Sequence, residues 1–217
     1  MIDLAARRAF ILANTRLQAP PHAPELRLHL ADEVTPIWRL TEDELGLIGL
    51  PPPFWAFAWA GGQALARYLL DRPSEVAGKR VLDFAAGSGI VAIAAMRAGA
   101  AEALAADIDA FAAAAVDLNA KANGVAVGFT GEDLLVAPAP FADVILAGDI
   151  CYEAPLAARA LAWLGAARAT GARVLIGDPG RAYFPRSGLA ELAEYRIPTT
   201  RELEDAEIKR TGVWALP

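Results

Sequence analysis

The apolar positions of this chain follow two different rhythms, with the change near residue 75. Over 4–12 their spacing predicts a short amphipathic helix. Leu26, Leu28 and Leu30 then alternate with polar residues, which is a strand pattern, and a second short strand near 36–40 is expected to pair with it. Pro51, Pro52 and Pro53 break any regular element, and a helix is expected over 61–70, stopped by Pro73.

From residue 79 short apolar runs alternate with helical patterns. Strands are expected at 81–84, 103–106, 125–130, 142–147 and 173–177, with helices at 90–97, 110–122 and 155–169. Asn123-Gly124 is a strong C-terminal stop for the second of these helices. Near-continuous apolar strands alternating with helices predict a parallel α/β sheet covered on both faces. The tail reads differently: 195–200 and 208–216 look like strands with no long helix between them, expected as an antiparallel pair at the sheet edge. No internal repeat, low-complexity linker or long charge block interrupts the chain. We therefore expect one domain over 1–217, an N-terminal extension of residues 1–75 joined to a Rossmann-like core of 76–217.

Composition narrows the partners. The 217 residues suit one domain, and 55% hydrophobic against 21% charged residues excludes disorder. A mean hydropathy of +0.32 raises the question of a membrane. The uncharged run 45–66 is long enough for the ~18–20 residues of a bilayer span. Its three prolines and Gly46, Gly49, Gly61 and Gly62 prevent a continuous apolar helix, and much of the surplus hydrophobicity is alanine, so no membrane partner is expected. A single cysteine, Cys151, permits no internal disulfide or thiolate cluster, and with only His22 and His29 beside it no metal site is expected. The formal charge of −6 and pI near 5.0 disfavour nucleic acid and suit a basic partner, such as a lysine-bearing protein surface. The first residues show neither a signal peptide's apolar core nor a transit peptide's serine-rich pattern, so a cytoplasmic protein is expected.

In sheets of this kind ligands bind beyond the carboxyl ends of the strands, so the residues after each strand carry the chemistry. After the first comes Asp83-Phe84-Ala85-Ala86-Gly87-Ser88-Gly89, a loop whose glycines let backbone approach a ligand at a helix N-terminus. Asp107 ends the next strand, twenty residues past Gly87, placed for a ribose diol. Gly87-x-Gly89-x-x-Ala92 also fits the loose dinucleotide fingerprint, so these residues alone leave a dinucleotide and S-adenosylmethionine both open. Asp83 favours S-adenosylmethionine: its carboxylate suits the ammonium of a methionine moiety and would repel a pyrophosphate. The run Asp107-Ile108-Asp109, leading into 117–125, points the same way.

These segments resemble the class I S-adenosylmethionine-dependent methyltransferases, whose glycine motif reads D/E-x-G-x-G-x-G. Ala85 stands at the first glycine, which we read as a mild change. The resemblance implies that Asp133, after the third strand, bonds the adenine amino group; a solvated turn capped by its side chain is the plainer alternative. Asp149-Ile150-Cys151-Tyr152 resembles the D-x-x-Y motif of seven-strand protein lysine methyltransferases, and lacks the paired prolines found in the amide and nucleobase enzymes.

Three further segments sharpen the likeness: 52–63 with its Pro-Phe-Trp run, Gly177-Asp178-Pro179-Gly180-Arg181, and 199–204. Together they resemble the electron-transfer-flavoprotein β-subunit lysine methyltransferases in their bacterial form. The resemblance implies a seven-stranded domain with the N-terminal extension over the cofactor cleft, S-adenosylmethionine as cofactor and lysine ε-amines of the flavoprotein β subunit as substrate; a monomer is expected. It also implies roles. Asp149 binds and orients the amine, or merely caps the helix beginning near Pro155, and Tyr152 shapes the channel. Trp59 faces the cofactor and Trp55 the target lysine, or both pack the N-terminal lobe. Arg181 meets the substrate or anchors the Asp-Pro-Gly turn to a carboxylate. Other substrates, such as a ribosomal protein or a small amine, and a nicotinamide-dependent oxidoreductase are the rivals.

Overall fold

The computed structural model describes residues 3–31, 52–199 and 207–217. Helix α1 (Leu4–Asn14) begins at Asp3, whose carboxylate accepts a hydrogen bond from the Ala6 amide at 2.7 Å. Strands β1 (Arg16–Gln18) and β2 (Leu28–Leu30) pair antiparallel. The partner expected at 36–40 lies outside the described residues. β1 went unforeseen because three largely exposed residues carry no alternation.

The rest follows as α2 (Ala60–Asp71), β3 (Arg80–Phe84), α3 (Ile90–Arg97), β4 (Glu102–Ala106), α4 (Ala110–Ala122), β5 (Gly128–Thr130), β6 (Val144–Gly148), α5 (Ala154–Ala169), β7 (Arg173–Asp178), β8 (Ala190–Pro198) and β9 (Ile208–Ala215). Among the described residues the main sheet has seven strands in the order β5-β4-β3-β6-β7-β9-β8. β3 to β7 run parallel, and β9 and β8 complete the edge antiparallel, as expected. The strand order reverses at β3, which has β4 on one side and β6 on the other, so a ligand crevice is expected beyond its carboxyl end.

Two strands begin three or more residues from their expected starts. β5 is confined to Gly128–Thr130, with Val125 and Val127 packing on the core before it. β8 begins at Ala190 rather than 195, because an edge strand with one buried residue, Ile197, and a bulge near Glu191 shows little apolar pattern.

Two long-range contacts place the N-terminal part. Asn119 on α4 and Asn123 at its C-terminal cap, one turn apart, grip the backbone of β2 and of the residue before it. Asn119 Oδ1 accepts from the His29 amide at 2.7 Å, and Asn123 Oδ1 from the Arg27 amide at 2.9 Å. At the other end, α2 meets the end of β7 through glycine: a Cβ added at Gly61 would lie 2.2 Å from the Gly177 carbonyl oxygen.

Candidate active site

A cavity of about 1000 Å³ opens beyond the carboxyl ends of β3, β4 and β6. The loop after β3 makes one wall. Gly87 and Gly89 adopt φ of +50° and +77°, and a side chain at Gly89 would strike Val116 Cγ2 at 2.9 Å. Ala85 has φ +56°, a conformation that favours glycine, so the alanine expected to be mild in fact holds strained backbone there.

Asp83 lies at the end of β3, 1% exposed, and its Oδ2 accepts from the Ala92 amide at 2.9 Å. Burial pushes its carboxyl up to about 7, with the neighbouring charge of Asp107 adding to the rise. Asp107 accepts from the Gly87 amide through Oδ2 at 2.8 Å and from the Asp109 amide through Oδ1 at 2.9 Å. Each oxygen therefore keeps a lone pair, which is what two adjacent hydroxyls need. Burial raises this carboxyl too.

Asp133 takes the plainer of its two readings among its protein contacts. Its Oδ1 accepts from the Leu135 amide at 3.0 Å, capping a short turn, and its Oδ2 lies 3.4 Å from Arg159 Nη2. It still lines the cavity rim.

Across the cavity stands Asp149, buried and with φ +57°, a conformation aspartate tolerates better than most residues. Its Oδ1 accepts from Arg181 Nη2 at 2.8 Å, and its Oδ2 accepts from the Gly62 amide at 2.9 Å. Gly62 is the third residue of α2, so Asp149 caps α2. The alternative of a cap on α5 is corrected: the N-cap residue of that helix is Glu153, and no side chain makes a cap bond there. Arg181 accordingly anchors its turn to a carboxylate. The turn is closed by Asp178, whose Oδ1 accepts from the Gly180 and Arg181 amides, both at 2.7 Å.

Tyr152 is 45% exposed at the mouth, its ring 5.5 Å from that of Phe54, and burial raises its hydroxyl above the ordinary range. Trp59 Nε1 donates to the Phe54 carbonyl at 2.9 Å, and the Arg181 guanidinium stands 5.8 Å from its ring. Trp55, expected to face the target lysine or to pack the N-terminal lobe, is 2% exposed and stacked on Phe111 at 5.7 Å, so packing accounts for most of its surface although it still borders the cavity.

Sequence reasoning gave no role to Asp109, Gly61, Gly62 or Asp178. Asp109 caps α4 through the Phe111 amide at 2.8 Å, and burial, with Asp107, lifts its carboxyl to about 6. Its place just before a helical run was the available signal. No local signal marks the two glycines, because their contacts are long-range.

One end of the cavity thus offers acceptors to a polar, partly cationic ligand, and the other offers aromatic surface beside an acid–guanidinium pair. Residues 64–152 match the family model described as Ribosomal protein L11 methyltransferase (PrmA). The chain is 40% identical over 214 residues to the electron transfer flavoprotein beta subunit lysine methyltransferase of Xenopus laevis, covering 96% of this chain and 86% of that protein. To the human protein of the same name it is 36% identical over 214 residues, covering 95% and 80%. Among solved structures it is similar in fold to magnesium protoporphyrin IX methyltransferase from Synechocystis with bound SAH, with TM-score 0.52, 18% identity, and coverage of 72% of this chain and 81% of that one.

Proposed function

The chain belongs to the family of electron transfer flavoprotein beta subunit lysine methyltransferases, and from that premise we propose that it transfers methyl groups from S-adenosylmethionine to lysine side chains of that β subunit. The observation that carries this reading is the extent of the likeness. The L11 family match covers only residues 64–152, whereas the flavoprotein relatives align across 92–96% of the chain. They therefore include both the aromatic segment around Trp59 and the 178–181 turn that build the second wall.

The residues present fit the cofactor. The loop of Gly87 and Gly89 admits close backbone approach, the spare lone pairs of Asp107 suit the ribose hydroxyls, and Asp133 at the rim suits the adenine amine. Asp83 supplies a buried carboxylate for the amino-acid end, and its raised proton affinity falls when a cation lies beside it. When bound, S-adenosylmethionine supplies an electrophilic methyl group. The protein's part is to position the lysine and exclude water. The attacking amine must be neutral, and the apolar surface of Phe54, Trp59 and Tyr152 favours loss of its proton by desolvation. Asp149, held by Arg181 and the Gly62 amide, orients that amine, and Tyr152 shapes the channel. Residues 1–75 act as the cover of the cleft, a role supported by Arg7, Phe54, Phe57 and Trp59 on its lining.

The test is incubation with labelled S-adenosylmethionine and either purified electron transfer flavoprotein or ribosomal protein L11. Label on lysines of the flavoprotein β subunit is expected. Label on L11 alone would overturn the substrate assignment.

A further inference from the structure

Two buried polar atoms near the second wall have no hydrogen-bond partner among the described residues: Asp178 Oδ2 and Trp214 Nε1. One is an acceptor and the other a donor. Buried groups of either kind rarely stay unpaired.

The register of the sheet brings the two together. Asp178 pairs with Gly212 across the β7–β9 ladder, and Ile176 pairs with Trp214. Residues directly opposite in an antiparallel pair project from the same face. A Cβ added at Gly212 would lie 2.3 Å from Trp214 Nε1, so the indole nitrogen occupies the place of the missing side chain opposite Asp178. Only glycine leaves room for this crossing. A pocket of about 440 Å³ beside it, lined by Arg181, Phe184 and Trp214 among others, stops short of Asp178, and both unpaired atoms are shut off from solvent.

We propose that Trp214 Nε1–H is the donor that serves Asp178 Oδ2, and that this pair positions Arg181, and through it Asp149, for lysine binding. Asp178 is 1% exposed and spends its other oxygen on the Gly180 and Arg181 amides, so fixing its carboxylate fixes the turn from which Arg181 reaches Asp149. The charged and titratable groups around Asp178 are Asp149 and Cys151 from the segment after β6 and Arg181 from its own turn. Burial, with the Asp149 charge, raises the Asp178 carboxyl to about 6, so its charge is lost in mildly acid solution. A donor at Oδ2 favours the ionised form, and removing it moves that loss to higher pH. The pair consists of positioning residues, and its catalytic consequence rests on the function proposed above.

Trp214→Phe keeps an aromatic ring against Phe184 and deletes only the donor. Two readouts separate this proposal from the substrate assignment. The first needs no substrate: the Asp178 carboxyl, followed by carbon-13 NMR across pH 4–8, should titrate about half a unit to one unit higher in the variant, as expected for one lost hydrogen bond. The second is methylation of the flavoprotein. Its kcat should fall about three- to tenfold with KM for S-adenosylmethionine unchanged, and the acid limb of the pH profile should move upward. Adding Trp214→Phe to Asp178→Asn should cost nothing further. An unshifted Asp178 titration in folded Trp214→Phe protein would overturn the pairing, whatever substrate the enzyme takes. A shifted titration with an unchanged acid limb would overturn the positioning role. Should Asp178→Asn fail to fold, the single-variant titration still decides.

Discussion

Replacing Asp149 by asparagine tests whether the acid at the second wall acts on the substrate or only holds the fold. The change keeps size, and asparagine also tolerates φ near the observed +57°, so the backbone has no reason to move. Two donors converge on this carboxylate, Arg181 at 2.8 Å and the Gly62 amide at 2.9 Å. An asparagine side chain can accept through one atom only, so one donor meets an amide nitrogen in either rotamer. Loss of one charge-assisted bond in a buried position costs ~1.5–3 kcal/mol of stability. For a chain of this size that lowers the melting temperature by roughly 3–12 °C. If the carboxylate also aligns the lysine amine, the variant forfeits ~2–4 kcal/mol of transition-state stabilisation as well. That corresponds to a rate lower by about 30- to 1000-fold. The assay is single-turnover methylation of the flavoprotein at a temperature where calorimetry shows the variant folded, with S-adenosylhomocysteine affinity measured alongside. Affinity should stay within about threefold, because that ligand is assigned mainly to the loops after β3, β4 and β5. A methylation rate also within about threefold of the parent, despite a lowered melting temperature, would refute the catalytic role and leave Asp149 as the cap of α2.

Three further outcomes follow from the same geometry. Asp107→Ala should weaken S-adenosylhomocysteine binding by ~1.5–3 kcal/mol in titration calorimetry, and it also frees the Gly87 amide that holds the glycine loop; unchanged affinity would remove Asp107 from the cofactor site. Ala85→Gly should raise stability by roughly 0.5–1 kcal/mol in urea unfolding, because relief of the +56° φ outweighs the entropy glycine adds to the unfolded chain; a loss of stability would contradict the strain. The ligand-free protein should lose stability as pH rises from 5 to 8. Asp83, near 7, and Asp109 and Asp178, near 6, all lie above their unfolded values, so the folded state holds extra protons that it must release across that window. The drop is on the order of a few kcal/mol. Glu25 and Asp143, held low by hydrogen bonds from the Arg67 side chain and the Arg80 amide, act in the opposite sense below about pH 4.5, and His22 and His29, held low by burial, oppose part of the drop below about pH 6.5. Urea midpoints that are level or rising between pH 5 and 8 would contradict the burial of these three acids.

Much of the architecture was legible before any coordinates. The helices Ile90–Arg97 and Ala110–Ala122 fall at their expected bounds, because local chemistry sets their ends: Gly89 precedes one, while Asp109 and Asn123-Gly124 bracket the other. The parallel strands were readable from their unbroken apolar content, and the acids placed after them, Asp83, Asp107 and Asp149, all reach the same cavity. Such features depend on neighbours within a few residues, or on burial that every side chain of a strand shares.

What only the tertiary structure decided depends on partners far apart in the chain. Trp55 and Trp59 share one loop and read alike in sequence, yet α4 brings Phe111 beneath the first and Arg181 comes to the second. Asp149 was legible as an acid after a strand. That it would cap α2 was not, because Gly62 lies 87 positions away and presents nothing but a backbone amide. The contact of Gly61 with Gly177, and the crossing of Trp214 over Gly212, are likewise written as the absence of a side chain, which gains meaning only once a second segment is packed against it. Periodicity and caps are local energies that a short stretch expresses alone, whereas the geometry of this site comes from which distant backbones are allowed to touch.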